Sequence, residues 1–168
     1  MAFAPRIVAL ALALTLAMTL AAAQAPAQEA QVAFGELGQD TTLPVEVVAD
    51  TFSVNNADGT AIFSGDVRVT QGEMTLAAAE VLVRYSPDGN AIHELVASGG
   101  VMVTNLGDAA EAREAVYTIE TGVIVLTGDV LLTQGPSSIS GQELTINLEA
   151  GTGVMTGRVT TIFTPGGN

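Results

Sequence analysis

The chain repeats itself at a fixed offset, and this repeat limits what it can fold into more than any other feature. Ile62-Phe63-Ser64-Gly65-Asp66-Val67 returns as Val125-Leu126-Thr127-Gly128-Asp129-Val130, 63 residues later. At the same offset Val69-Thr70-Gln71-Gly72 meets Leu132-Thr133-Gln134-Gly135, and Ala79-Glu80-Val81-Leu82-Val83 meets Gln142-Glu143-Leu144-Thr145-Ile146. Gapless self-similarity of this extent marks a duplicated structural unit, whose copies stack to bury a shared core. Weaker copies fill the intervals. A small-Gly-x-Val element lies at Gly65, near Gly99, at Gly128 and at Gly157. An acid followed by alternating strand residues lies at Asp50, Glu80, Glu114 and Glu143.

The units read as β-structure. Nearly half the chain is hydrophobic but only 4% is aromatic, so the core is Val, Ile, Leu and Ala, the composition of strands. Turn residues fall between alternating apolar runs at Asn56-Ala57-Asp58-Gly59, Ser86-Pro87-Asp88-Gly89, Thr121-Gly122 and Ala150-Gly151-Thr152-Gly153. Residues 108–115 carry a weak Ala/Glu pattern that could make a helical turn, but the repeat alignment favours strand. This predicts about sixteen short strands. The alternation also slips: apolar positions run 45, 47, 49 and then 52, 54, and again 74, 76, 78 and then 81, 83. A one-residue phase change beside small residues is what a bulge or corner does. Repeated in register, such corners bend every rung of a sheet at one place, giving a folded-over or solenoid-like sheet with a long apolar interior; an ordinary core would explain the same apolar stripe.

Residues 1–6 carry one positive charge, 7–23 are uncharged and apolar, and small residues follow, which is the pattern of a cleavable signal peptide over 1–27. The apolar stretch sits at the short limit for a retained anchor, the competing reading. Residues 28–43 read as a flexible leader, 44–165 as the β-domain and 166–168 as a tail. Without the first 27 residues, four Arg stand against 18 Asp and Glu, and there is no Lys. Nucleic acid finds no basic footprint on such a chain, and an anionic membrane surface is disfavoured for the same reason. There is no Cys, so stability rests on burial and backbone pairing.

Chemistry finds little to work with. The one histidine, His93, is followed by Glu94, which a strand turns to the opposite face. One His and no Cys exclude a zinc site, and no nucleophile stands beside His93 for a Ser-His-Asp arrangement. Asp58-Gly59 and Asp88-Gly89 do not fit calcium-loop spacings and are turns. Asp66 and Asp129 recur with the motif and shape a turn rather than form a catalytic pair. The chain is expected to have no catalytic residues, no metal and no cofactor.

At these residues the sequence resembles the LptA/OstA family of periplasmic lipopolysaccharide-transport proteins. Leu43-Pro44-Val45-Glu46-Val47-Val48-Ala49-Asp50 is similar to the family's opening strand. Phe63-Ser64-Gly65-Asp66-Val67-Arg68-Val69-Thr70-Gln71-Gly72 is similar to its most recognisable run, Val125-Leu126-Thr127-Gly128 to a later copy, and Arg158-Val159-Thr160-Thr161-Ile162-Phe163-Thr164-Pro165 to its closing strand. The resemblance implies an all-β fold, an open bent antiparallel β-jellyroll with a V-shaped interior. It implies lipopolysaccharide as ligand, held by its lipid A acyl chains and passed from the inner to the outer membrane of a Gram-negative cell for outer-membrane assembly. It also implies head-to-tail contacts with further copies and with related jellyroll domains of inner-membrane and outer-membrane partners. A cleavable signal and an end at residue 168 favour the free periplasmic member over an anchored inner-membrane homologue.

On that resemblance, Val45, Val47, Phe63, Val67, Val69, Met74 and Leu76 are expected to face the lipid. Met102, Tyr117, Ile119, Val130, Leu132, Ile139 and Ile146 are expected to join them. Val45, Val47 and Ala49 at one end, and Val159, Thr161 and Phe163 at the other, are the expected partner edges. The acidity is unexpected for a carrier of an anionic lipid; either the acids point away from the ligand, divalent cations intervene, or the lipid A carries little phosphate. Two readings compete: a β-solenoid with a sealed interior that binds no lipid, and a glycan-binding module, against which two Tyr and no Trp argue.

Overall fold

A computed structural model describes residues 30–33, as backbone alone, and 40–163; the expected signal segment and tail lie outside the described residues. Thirteen antiparallel strands form one sheet. β1 spans Ala30–Ala33, β2 Glu46–Val48 and β3 Thr51–Asn55, and β4 (Thr60–Gln71) with β5 (Met74–Tyr85) makes a long hairpin. Four short strands follow: β6 (Ile92–Ser98), β7 (Val101–Asn105), β8 (Asp108–Ala112) and β9 (Glu114–Thr118). A second long hairpin, β10 (Val123–Gln134) and β11 (Ser137–Asn147), precedes β12 (Thr152–Thr156) and β13 (Thr160–Ile162). The Ala/Glu segment is therefore strand, in β8 and the start of β9.

The long hairpins bend at the rung where the alternation of β5 and β11 slips, while β4 and β10 keep one phase through it. The β4–β5 register shifts between Ser64 and Val67, and the β10–β11 register between Thr127 and Val130. At each bend a Gly-Asp pair turns left-handed, Gly65 at φ 83° with Asp66 at 45°, and Gly128 at 83° with Asp129 at 50°. Asp tolerates this region better than most side chains, which explains why the pair recurs as a pair. At Gly65 space asks for glycine a second time, since a Cβ would lie 2.5 Å from Asp50 Oδ2 and 2.8 Å from Asp50 Cβ, whereas one on Gly128 would meet Arg113 Cδ at 3.0 Å, where that side chain must give way. Gly99-Gly100 and Gly157-Arg158 turn the same way between their short strands. Gly99 and Gly157 abut Ala79 and Gln142 as Gly65 abuts Asp50. This corrects the alignment of the acids: the counterparts of Asp50 are Ala79, Arg113 and Gln142, and Glu80, Glu114 and Glu143 each lie one residue further on.

The bends align into a single crease that divides the sheet into two leaves. The first leaf runs β3, the first half of β4, the second half of β5, β6, β9, the first half of β10, the second half of β11, β12 and β1. The second runs β2, the other halves of β4 and β5, β7, β8, the other halves of β10 and β11, and β13. Leaving β1 aside, twelve strands with four shared between leaves give sixteen leaf-length strands, eight in each. Ala30–Ala33, read from sequence as flexible leader, is a strand on the outer side of β12.

Candidate functional site

The space between the leaves is lined by both. Val81, Val83, Leu95, Tyr117, Ile124, Leu126, Leu144 and Met155 enter from the first leaf. Val67, Val69, Met74, Leu76, Val103 and Leu132 enter from the second, and together they make one buried cluster. The only buried polar side chains among the described residues are Gln71 and Asn105; no charged side chain is buried. Along β4, β5, β10 and β11 the acids Asp66, Glu80, Asp129 and Glu143 are exposed. Of the three accounts of the acidity, the acids pointing away from the interior is the one that matches their placement.

Val67, Val69, Met74, Leu76, Tyr117, Val130, Leu132, Ile139 and Ile146 are buried in this interior, and Val45, Val47, Phe63 and Ile119 pack against it while partly exposed. Met102 is a correction. Its side chain is 44% exposed between Val101 at 3% and Val103 at 5%, so it faces outward. The inward phase of Leu95 and Ala97 in β6 carries straight across the Gly99-Gly100 corner, so the inward residues of β7 are the two valines. Sequence reading also missed Val81, Val83, Leu126 and Leu144, although they continue the alternation beyond each corner in the same strands.

The interior is filled. Met74, Leu76, Leu95, Leu126, Leu132, Leu144 and Tyr117 have no exposed surface. The cavity among Val103, Ala110, Leu132 and Ile146 measures about 10 Å³, room for one water at most. A larger cleft of about 690 Å³ lies at the crease and includes the outward residues Arg68, Met102 and Glu111. Among the described residues the two leaves therefore pack against each other without a standing trough at these positions.

Opposite the crease, one polar node joins the leaves. Tyr117 of the first leaf donates its hydroxyl to Gln71 Oε1 of the second at 2.6 Å, fully buried. Gln71 Nε2 donates to the carbonyls of Thr41 and Leu43, both at 2.9 Å. Thr41 Oγ1 in turn donates to Glu149 Oε1 at 3.2 Å, on the turn after β11. Residues 41–43 therefore strap the tip of β4 to the tips of the first leaf. Burial, with the Glu149 charge adding to it, pushes the Tyr117 hydroxyl up to about 12 and keeps it a donor. The repeat counterpart Gln134 donates instead to Asp108 at 2.9 Å, within the second leaf.

The stack has two unlike ends. At the first, β2 and β3 pair, among the described residues, only with β4. Phe52 and Val54 are 55% and 51% exposed there, with the Phe52 ring 4.7 Å from that of Phe63. At the far end β13 pairs, among the described residues, only with β11, and Phe163 is 77% exposed, whereas the outer side of β12 is taken by β1. The two sequence-read edges, 45–49 and 159–163, thus lie at opposite ends of the second leaf. The first leaf's edges, β3 and β12, were not read. His93 is exposed, 3.9 Å from Glu120.

A sequence family described as LptA/(LptD N-terminal domain) LPS transport protein matches residues 46–152. Among solved structures, the chain is similar to LptH, the LptA-homologous periplasmic component of the lipopolysaccharide transport device of Pseudomonas aeruginosa. The TM-score is 0.67 at 19% identity, covering 76% of this chain and 99% of that one. No curated protein sequence matches.

Proposed function

Since the chain belongs to the family of LptA and LptD N-terminal lipopolysaccharide-transport domains, we propose that it carries lipopolysaccharide through the periplasm, with the acyl chains of lipid A between its leaves. The observation that carries this reading is the charge-free interior, drawn from two leaves that are continuous only across one crease. Acyl chains in water cost about 0.8 kcal/mol per exposed CH₂, tens of kcal/mol for a lipid with several chains. A carrier must replace that contact with an apolar one, and needs no reaction to do so. Parting the leaves around acyl chains exchanges side-chain contacts for chain contacts of the same kind, so little apolar surface meets water in the exchange. The acids stay outside, where they repel the anionic headgroup from the outer faces and leave the mouth between the leaves as its place.

Handover runs along the stack. The bare edges of the second leaf suit antiparallel addition of a further jellyroll at either end, which passes lipid from an inner-membrane partner toward an outer-membrane one. Photocrosslinking in cells tests the carrier: a photoreactive residue replacing Val103 or Leu132 should label lipopolysaccharide, and one replacing the outward Met102 should not. Labelling from neither interior position would overturn the reading.

A further inference from the structure

The duplication places a template for the contact between molecules inside the molecule. The two repeats meet where β6 pairs β9 and β7 pairs β8. By the 63-residue offset, β8 and β9 correspond to β2 and β3; by their common corners, Gly99-Gly100 and Gly157-Arg158, β6 and β7 correspond to β12 and β13. A second copy stacked on the far end would therefore pair its β3 with β12 and its β2 with β13, antiparallel in both leaves. The internal partners Leu95↔Tyr117 and Ala97↔Ala115 become Gly153↔Val54 and Met155↔Phe52 between copies. Val103↔Ala110 becomes Thr161↔Val47 in the other leaf. Gly100 donates its backbone N–H to Arg113 O at 3.2 Å, and the counterparts are Arg158 of one copy and Asp50 of the next, which are oppositely charged.

One half of that surface is occupied. β1 pairs Ala30↔Met155, Gln31↔Val154, Val32↔Gly153 and Ala33↔Thr152, the four positions that Phe52, Ser53, Val54 and Asn55 of a second copy would take, and in the same direction. We propose that β1 is an internal stand-in for β3 of the next copy, so that head-to-tail association requires its displacement. This deepens the stacking contact proposed above and rests on it. The occupant is a second copy, because the edge repeats the contact the chain already makes with itself, and because that copy would cover its own exposed Phe52 and Val54. Chains thereby stay apart at low concentration without giving up an edge that can pair.

The chain has no cysteine, which permits a reversible test by sedimentation velocity on lipid-free protein comprising residues 28–168. Oxidised Gln31→Cys/Val154→Cys protein, with β1 tethered to β12, should self-associate at least tenfold more weakly than the same protein after reduction. Gln31→Pro/Val32→Pro protein should associate at least tenfold more tightly than the parent, because neighbouring strand residues point their N–H groups in opposite directions and the pair removes a ladder donor in either register. Adding Phe52→Asp and Val54→Asp, on an edge where both side chains are already exposed, should abolish the gain. Equal association of oxidised and reduced protein, no gain on release, or a gain that survives the β3 substitutions would each overturn the proposal. Failure of lipid labelling would overturn the carrier reading and leave these measurements as they stand.

Discussion

The two repeats share a backbone and differ in what they do with it. Gly65-Asp66 and Gly128-Asp129 turn through nearly identical angles. Around them the side chains diverge: Arg113 forms an ion pair with Asp129, while its counterpart Asp50 sits over Gly65 in a corner whose other acid is Asp66. Gln71 is the buried node that joins both leaves and the strap, and Gln134 binds a neighbour in its own leaf. Tyr117, which closes the interior, corresponds to Val54 on the exposed edge. Duplication has kept the positions where the backbone demands a residue type and released those where only a neighbour does.

The largest effect should come from the corners themselves. Gly65→Ala is expected to cost about 3 kcal/mol, from the left-handed backbone and the collision with Asp50. Gly128→Ala should cost about 1–2 kcal/mol, because the Arg113 side chain it meets is flexible and exposed. Urea denaturation measures both, and equal losses would mean the backbone angle alone sets the cost.

Tyr117 separates the repeats by pH. Its hydroxyl titrates near 10.0 when unfolded and about 12 when folded. Between those values the unfolded chain has released the proton and the folded one still holds it, so stability falls as pH rises from 10 to 12, by about 2 kcal/mol. Below 10 this contribution is constant. Thermal melts of Tyr117→Phe across that range should lack this part of the decline; an unchanged slope would place its origin elsewhere.

Gln71→Ala leaves the Tyr117 hydroxyl and two strap carbonyls without their partner, at a cost of about 2 kcal/mol, whereas Gln134→Ala should cost under about 1 kcal/mol. Similar losses at the two glutamines would remove the distinction between node and local contact. The smallest effect is a gain: Asp50→Arg copies the second corner into the first and should stabilise by roughly 0.5 kcal/mol at low salt, with the gain lost at high salt.

Sequence made the crease legible because its cause is local. The Gly-Asp pairs leave the phase of their own strands unchanged, and the slip falls on the facing strand, so positions 74, 76, 78 and then 81, 83 of β5 can be read without knowing the fold. Met102 was misplaced although Leu95, Ala97, Val101 and Val103 alternate without a slip across Gly99-Gly100. β1 was hidden for a different reason. Ala30-Gln31-Val32-Ala33 is too short and plain to announce a strand, and only the exposed side of β12 makes it one. The filled interior was also out of reach, since alternation tells which face a residue takes but not how far apart two faces lie.

Every strand crosses the crease or ends on it, so the ladder hydrogen bonds of both leaves run parallel to it. A swing of one leaf about that axis, like a book turning on its spine, strains the corner dihedrals and breaks no rung. On the carrier reading proposed above, admission of cargo would draw on side-chain contacts and the glutamine node, with amide-exchange protection within each leaf retained.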